Sequence, residues 1–319
     1  MFPRTAKEVA QMAEEQHTHL GTFAIRHESE ETGASEEAVR AALAEQIRIM
    51  KVSATEGRRR LVFSLSGLIG GDSTKVSAYA KRGTAISGEV MVDAVAYAMS
   101  SSEVNASMGR IVAAPTAGAC GILPAVLKTF SDRRGTSEEE LVDALAVAGA
   151  MGIIIGQNAT ISGAEGGCQA ETGAAAAMAA GAAVHLLGGT PSQCLDSGAI
   201  VLMNMLGLVC DPVAGLVEIP CVYRNAQGAV NALTTADMVM AGVRSRIPFD
   251  EAVTAMYEVG RSLSEALRET GIGGIAGTPT GQRLKRQVFG DAPITEVHKD
   301  YKQPREEEES SGTGFEKGL

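Results

Sequence analysis

The sequence predicts an all-α protein, a mainly helical, bundle-like domain whose helices are joined by glycine-rich loops. Composition is the first reason. Hydrophobic residues make up 45% of the 319, aromatics only 4%, and Trp is absent, so the apolar volume comes from Ala, Val, Ile, Leu and Met. With 37 glycines, that mixture suits helices packed at short distance better than an aromatic-rich β-sandwich. Apolar spacing is the second reason, as in Val39, Leu43, Ile47 and Met50, which recur at helical intervals. The third is a set of helix-start signals: Ser35 before Glu36 and Glu37, Ser137 three residues ahead of Glu140, and Thr190-Pro191.

Taken in order, residues 1–57 read as an N-terminal segment of two helices, the second capped by Ser35. The His17-Thr18-His19 pair lies on a charged face and reads as solvated surface rather than metal site. Arg58-Arg59-Arg60 lead into Gly70-Gly71-Asp72-Ser73-Thr74-Lys75. That turn either starts a capped helix or offers its amides and Lys75 to a small anion; it lacks Walker A spacing. A helix over 88–101 follows, then a polar stretch containing Ser107. The turn Thr116-Ala117-Gly118 enters a helix over 122–130, either as an ordinary junction or as a receptor aiming amides at a carboxylate.

The helix opened by the capping boxes of Thr136 and Ser137 is apolar on all sides over its second half, which predicts a central position. It delivers Asn158 and Ser162 to Gly163-Ala164-Glu165-Gly166-Gly167-Cys168. A small-residue helix spans 173–187, and the next runs from Thr190 to 209, with Cys210 just past its end. Residues 231–244 and 248–269 read as amphipathic helices, the second with Val253, Met256, Gly260, Leu263 and Leu267 on one face and Gly271 as its C-terminal cap. The glycine-dense loop 273–281 is expected to close over a site. After 290 the chain turns polar and acidic, which predicts a disordered tail over 291–319.

The net charge of −10 is carried mostly by the two ends, leaving a nearly neutral body. No basic stripe is present, which excludes nucleic acid as a partner. Five cysteines, an odd number, argue against a disulfide framework and for a reducing, cytoplasmic setting. Residues 1–20 are interrupted by Arg4, Lys7, Glu8, Glu14 and Glu15 and lack a signal-peptide core. Residues 173–189 and 144–156 fall short of the ~20 apolar residues a membrane span needs. No membrane association is expected.

Three of the cysteines, Cys168, Cys210 and Cys221, lie in turns bearing Gly or Pro, where the backbone can curl around a metal. No C-x-x-C pair occurs, and spacing alone fits small buried hydrophobes as well. Cys194 falls within a helix and reads as a core thiol. Cys120 is left open.

The segments Ala114-Pro115-Thr116-Ala117-Gly118-Ala119-Cys120-Gly121, Asn158-Ala159-Thr160-Ile161-Ser162 through Gln169, and Cys210-Asp211-Pro212 through Cys221 resemble the α chain of iron–sulfur-dependent L-serine dehydratase. The likeness spans roughly residues 58 to 290, includes Gly70-Gly71-Asp72 and Lys75, and keeps the cysteine separations of 42 and 11. This resemblance implies a catalytic domain over 58–290 with a [4Fe–4S] cluster on Cys168, Cys210 and Cys221, one iron being open as a Lewis acid. It implies L-serine as substrate, pyruvate and ammonia as products, and a role in amino-acid catabolism and gluconeogenesis. Lys75, Ser107, Thr116, Ala117 and Gly118 become expected substrate contacts. A separate β subunit is expected too, and the general base, unassigned in this chain, is expected on it. Single-chain relatives carry a C-terminal cysteine that can reach the cluster; none follows Cys221 here. Three other readings stand beside this one: a related lyase such as L-cysteine desulfidase, an iron–sulfur electron carrier using Cys120 or Cys194 as fourth ligand, and a metal-free scaffold.

Overall fold

The computed structural model describes residues 2–291, and all of its regular structure there is helical. Pairing outside helices is limited to isolated bridges, Phe63 with Gly70 and Cys210 with Arg268. The all-α expectation holds. The expected acidic tail, beyond Asp291, lies outside the described residues.

At the centre is α9 (Ala174–Leu186), whose run of alanines is buried on every side. Around it pack α6 (Ile122–Arg134), α7 (Glu138–Asn158), α10 (Pro191–Met205) and α11 (Cys221–Met240). Small side chains are what let these axes approach. Met151 of α7 fills a slot between Gly181 of α9 and Gly198 of α10, and a Cβ on either glycine would collide with it. A second layer is organised on α5 (Gly88–Ala106), which packs against α3 (Glu36–Arg59), α4 (Asp72–Ala80), α6 and α11. Among the described residues no helix is long and apolar enough to cross a membrane.

The N-terminal segment forms three helices rather than two: α1 (Ala6–Glu15), α2 (Leu20–Thr32) and α3. The chain breaks after α1, where His17 takes a positive φ of 50°. Thr5 and Glu8 close a capping box on α1, and Ser35 caps α3 by accepting from Ala38 N at 3.2 Å. The boxes at Ser137/Glu140 and Thr190/Gln193 are both formed, with Pro191 at the start of α10.

Helix ends differ most from the sequence reading around the cysteines. The α10 helix stops at Met205, because residues 207–208 are claimed by Gln169: Gly207 N donates to its Oε1 at 2.9 Å, and its own amide donates to Leu208 O at 2.9 Å. The α11 helix starts at Cys221, ten residues early. The α12 helix (Phe249–Ser262) ends before 269, so Val253, Met256 and Gly260 form its buried face while Leu263 and Leu267 lie beyond it. Gly271 therefore caps no helix. The chain after Ser262 instead pairs with Cys210, whose N–H donates to Leu267 O and whose carbonyl accepts from Glu269 N.

Candidate active site

Cys168 follows the short helix α8 (Gly163–Gly166) and opens a π-helical turn over Gln169–Gly173, a geometry frequent at functional positions. Gln169 holds that turn in place, donating from Nε2 to Gly166 O at 3.0 Å and to Met256 O at 2.8 Å. Gly260 of α12 is pressed against Gly166, where a Cβ would lie 2.8 Å from Gly166 Cα. The glycines of this motif thus serve close backbone packing. Cys210 is fixed by its pairing with residues 267–269, and Cys221 is the first residue of α11, after the cis Ile219–Pro220 bond.

These three elements bring three thiols together. Burial is the main cause that pushes Cys210 up, followed by the charges of Cys168, Glu171, Glu269 and Cys221. Burial likewise raises Cys221, with Cys168 and Glu171 adding to it. Cys168 is raised by burial and partly relieved by Arg224. Arg224 lies one turn along α11 from Cys221; its guanidinium pairs with Asp211 at 2.8 Å and donates to Val209 O at 2.8 Å. The buried Asp211 also accepts from Ile275 N at 2.6 Å, so the loop 273–278, which ends earlier than expected because a helix starts at Pro279 (Pro279–Phe289), is anchored one residue from Cys210.

Cys120 and Cys194 stand apart. Each is buried and pushed up to about 12 by burial, and neither feels another thiol. Cys120 Sγ faces Ser101 O at 3.8 Å, and Cys194 belongs to the core of α10, as expected. All five cysteines are free. Among the described residues no three His, Cys, Asp or Glu side chains converge tightly enough for one metal ion. An iron–sulfur cluster makes a different demand, since its cysteine ligands are shared out over several irons.

Facing the thiols is the turn of Thr116, Ala117 and Gly118, which follows the cis Ala114–Pro115 bond. Asn225, one turn along α11 from Cys221, clamps it. Its Nδ2 donates to Gly118 O at 2.7 Å and to Cys221 O at 2.9 Å, and its Oδ1 accepts from Gly121 N at 2.8 Å. Asn105 steadies the outer side by donating to Ala117 O at 3.3 Å. Thr116 Oγ1 is buried, and the side chain it meets is the Glu171 carboxyl, which it pulls down by hydrogen bonding. Beside it lies Glu171, three residues past Cys168. Its carboxylate oxygens are 3.2 and 3.3 Å from where a Cβ on Gly118 would stand, and Cys210 Sγ faces Oε2 at 4.0 Å. Burial, then the charge of Glu269, pushes Glu171 up to about 7.

Lys75 and Ser107, the other expected contacts, have partners of their own. Lys75 is exposed, with Nζ 2.7 Å from Asp72 Oδ1. The amides of Asp72 and Ser73 already donate to Glu103 Oε1, at 2.7 and 3.1 Å, so those donors are taken. Ser107 ends α5 and donates to Val104 O at 2.9 Å. Ser66, in the loop ahead of α4, reaches back toward the thiols by donating to Glu218 Oε2 at 2.6 Å.

The family model described as serine dehydratase alpha chain matches residues 7–276. The chain belongs to that family. The probable L-serine dehydratase alpha chain of Bacillus subtilis (strain 168) is 46% identical over 289 residues, 91% of this chain and 96% of that protein. The L-serine dehydratase alpha chain of Peptoniphilus asaccharolyticus is 45% identical over 285 residues, covering 89% of this chain and 98% of that one. The L-serine dehydratase of Streptomyces coelicolor is 39% identical over 281 residues, 86% of this chain but 60% of that longer protein.

Within this serine dehydratase alpha chain member, sequence reasoning missed Gln169, Glu171, Asp211, Arg224 and Asn225. A signal was available for three of them. Glu171 follows Cys168 by three residues, and Arg224 and Asn225 follow Cys221 by three and four, which on a helix puts each pair on one face.

Proposed function

We propose that this chain is the α subunit of an L-serine dehydratase, an L-serine ammonia-lyase that releases pyruvate and ammonia and holds a [4Fe–4S] cluster on Cys168, Cys210 and Cys221. The observation that carries the reading is the gathering of three free thiols at one site while Cys120 and Cys194 are kept out of it. Burial and mutual repulsion disfavour three bare thiolates, and a cationic metal group that replaces their protons offsets that charge. Three cysteines also leave one iron of such a cluster without a thiolate, and the bound group then supplies a Lewis acid.

The chain's own residues do the rest. Gln169 and Arg224 hold the Cys168 and Cys210 turns at fixed positions. Asn225 fixes the turn of Thr116, Ala117 and Gly118, whose leading amides receive the substrate carboxylate. The loop 273–278, tied to Asp211, covers the Cys210 side and limits water. The histidines described are placed for other ends: His19 against His185, His27 against Phe2 and Phe23, and His17 at an exposed break. We therefore assign the base for the Cα proton to a separate β subunit. The alpha-chain names of the relatives and the greater length of the Streptomyces coelicolor protein support that division. This reading includes a reducing, cytoplasmic setting, which five unpaired cysteines support.

Anaerobic treatment with iron and sulfide tests the metal site. Wild-type protein, Cys120→Ser and Cys194→Ser are expected to take up iron and turn brown, and Cys168→Ser, Cys210→Ser and Cys221→Ser to lose most of it. Loss in Cys120→Ser or Cys194→Ser would favour an electron carrier with four ligands instead.

A further inference from the structure

We propose that Glu171 is the receptor for the α-ammonium group of the substrate, and so the residue that selects α-amino acids over the matching 2-hydroxy acids. The inference rests on the reading that this site acts on an amino acid, and deepens it.

Position comes first. The π-helical turn puts the Glu171 carboxylate, half-buried, between Cys210 and Gly118. Two glycines keep that space open. A Cβ on Gly163 would stand 2.7 Å from Glu171 Oε2 and 3.0 Å from Cys210 Sγ, so only glycine lets carboxylate and thiol share the pocket. On its other side Glu171 meets Gly118, in the turn proposed for the substrate carboxylate. A zwitterion laid across this gap has its two charges answered by two adjacent groups.

Charge comes second. Among the described residues no cation is paired with Glu171; what acts on it is burial, Glu269 and Thr116. Arg224 is committed to Asp211 and Val209 O, and Lys75 to Asp72, while Arg268, bridged to Cys210 through the backbone, keeps a buried Nε with no hydrogen-bond partner and forms no ion pair with Glu171. Glu269, held at a positive φ of 64° with its N–H on Cys210 O, adds a second negative charge and no counter-ion. A half-buried carboxylate without a cation is costly, and a ligand ammonium relieves it with charge-assisted hydrogen bonds. A hydroxyl at the same carbon brings no positive charge and leaves Glu171 as it was.

The test uses the cluster-loaded complex with its β subunit. For Glu171→Gln, the KM for L-serine is expected to rise by about tenfold to a hundredfold, the worth of one charged hydrogen bond. Inhibition by L-glycerate, which replaces the ammonium with hydroxyl, is expected to stay within about twofold or to tighten, because only ammonium recognition has been removed. Glu171→Asp keeps the charge and is expected to restore part of the affinity for L-serine. Iron content and visible absorbance are read in parallel. Equal weakening of L-serine and L-glycerate, an unchanged KM, a loss confined to kcat, or loss of the cluster in both variants each overturns the proposal. If the wild-type complex turns over no L-serine, the broader reading falls first.

Discussion

Asn225 commits its whole amide to backbone, to Gly118 and Gly121 of one turn and to Cys221 of its own helix, and that makes it the joint between the Cys221 helix and the 116–118 turn. Asn225→Ala leaves Gly121 N, Gly118 O and a buried gap without partners. The expected loss is about 2 kcal/mol of stability, the usual cost of unsatisfied buried groups, seen as a lower melting temperature. Asn225→Asp keeps an acceptor for Gly121 N but presses a carboxylate on two carbonyls, and is expected to fare no better. A melting temperature unchanged in both would remove Asn225 from the account. The cysteines were legible in the sequence because a thiol in a glycine turn is a local signal. Asn225 was not, since its partners lie 104 and 107 residues away, and Glu171 gains its meaning only from Gly118 and Cys210.

At the scale of elements, α4 is docked by one buried acid. Glu103 of α5 accepts the first two amides of α4 on Oε1, while Oε2 is buried without a partner. Burial pushes Glu103 up from 4.5 to about 7. Its folded form therefore holds a proton that the unfolded chain has released, and stability from this group is full below pH 4.5 and lost as pH rises through 7. The difference is about 3 kcal/mol. Glu103→Gln keeps an acceptor for both amides without the charge, so the fall in melting temperature between pH 5 and pH 8 is expected to flatten. Glu171, raised in the same direction, leaves a residual slope. An unaltered profile would contradict the assignment. Helix existence was readable here from caps and periodicity, as at Ser35, Ser137 and Thr190. The ends of α10 and α12 were not, because Gln169 and the Cys210 backbone compete for those residues from outside the helix.

Across the whole molecule, an alanine-walled centre replaces the usual large side chains and carries the cysteine turns at its edge. Its tolerance for added volume is correspondingly small. Gly181→Val is expected to drive α9 off Met151 at a cost of about 3 kcal/mol, with Met151→Ala recovering part of it in the double variant. Additive losses would show that the slot is not shared. The composition made the helical class plain, while the three-helix N-terminus was hidden by a break at His17 that no glycine or proline marks. The central claim, a divided lyase built on three thiols, is tested most directly by pyruvate release. After anaerobic loading with iron and sulfide, L-serine is supplied with and without the β subunit. The account predicts pyruvate only from the loaded chain with its partner present. A loaded complex that releases none, or a chain that takes up no iron, would contradict it.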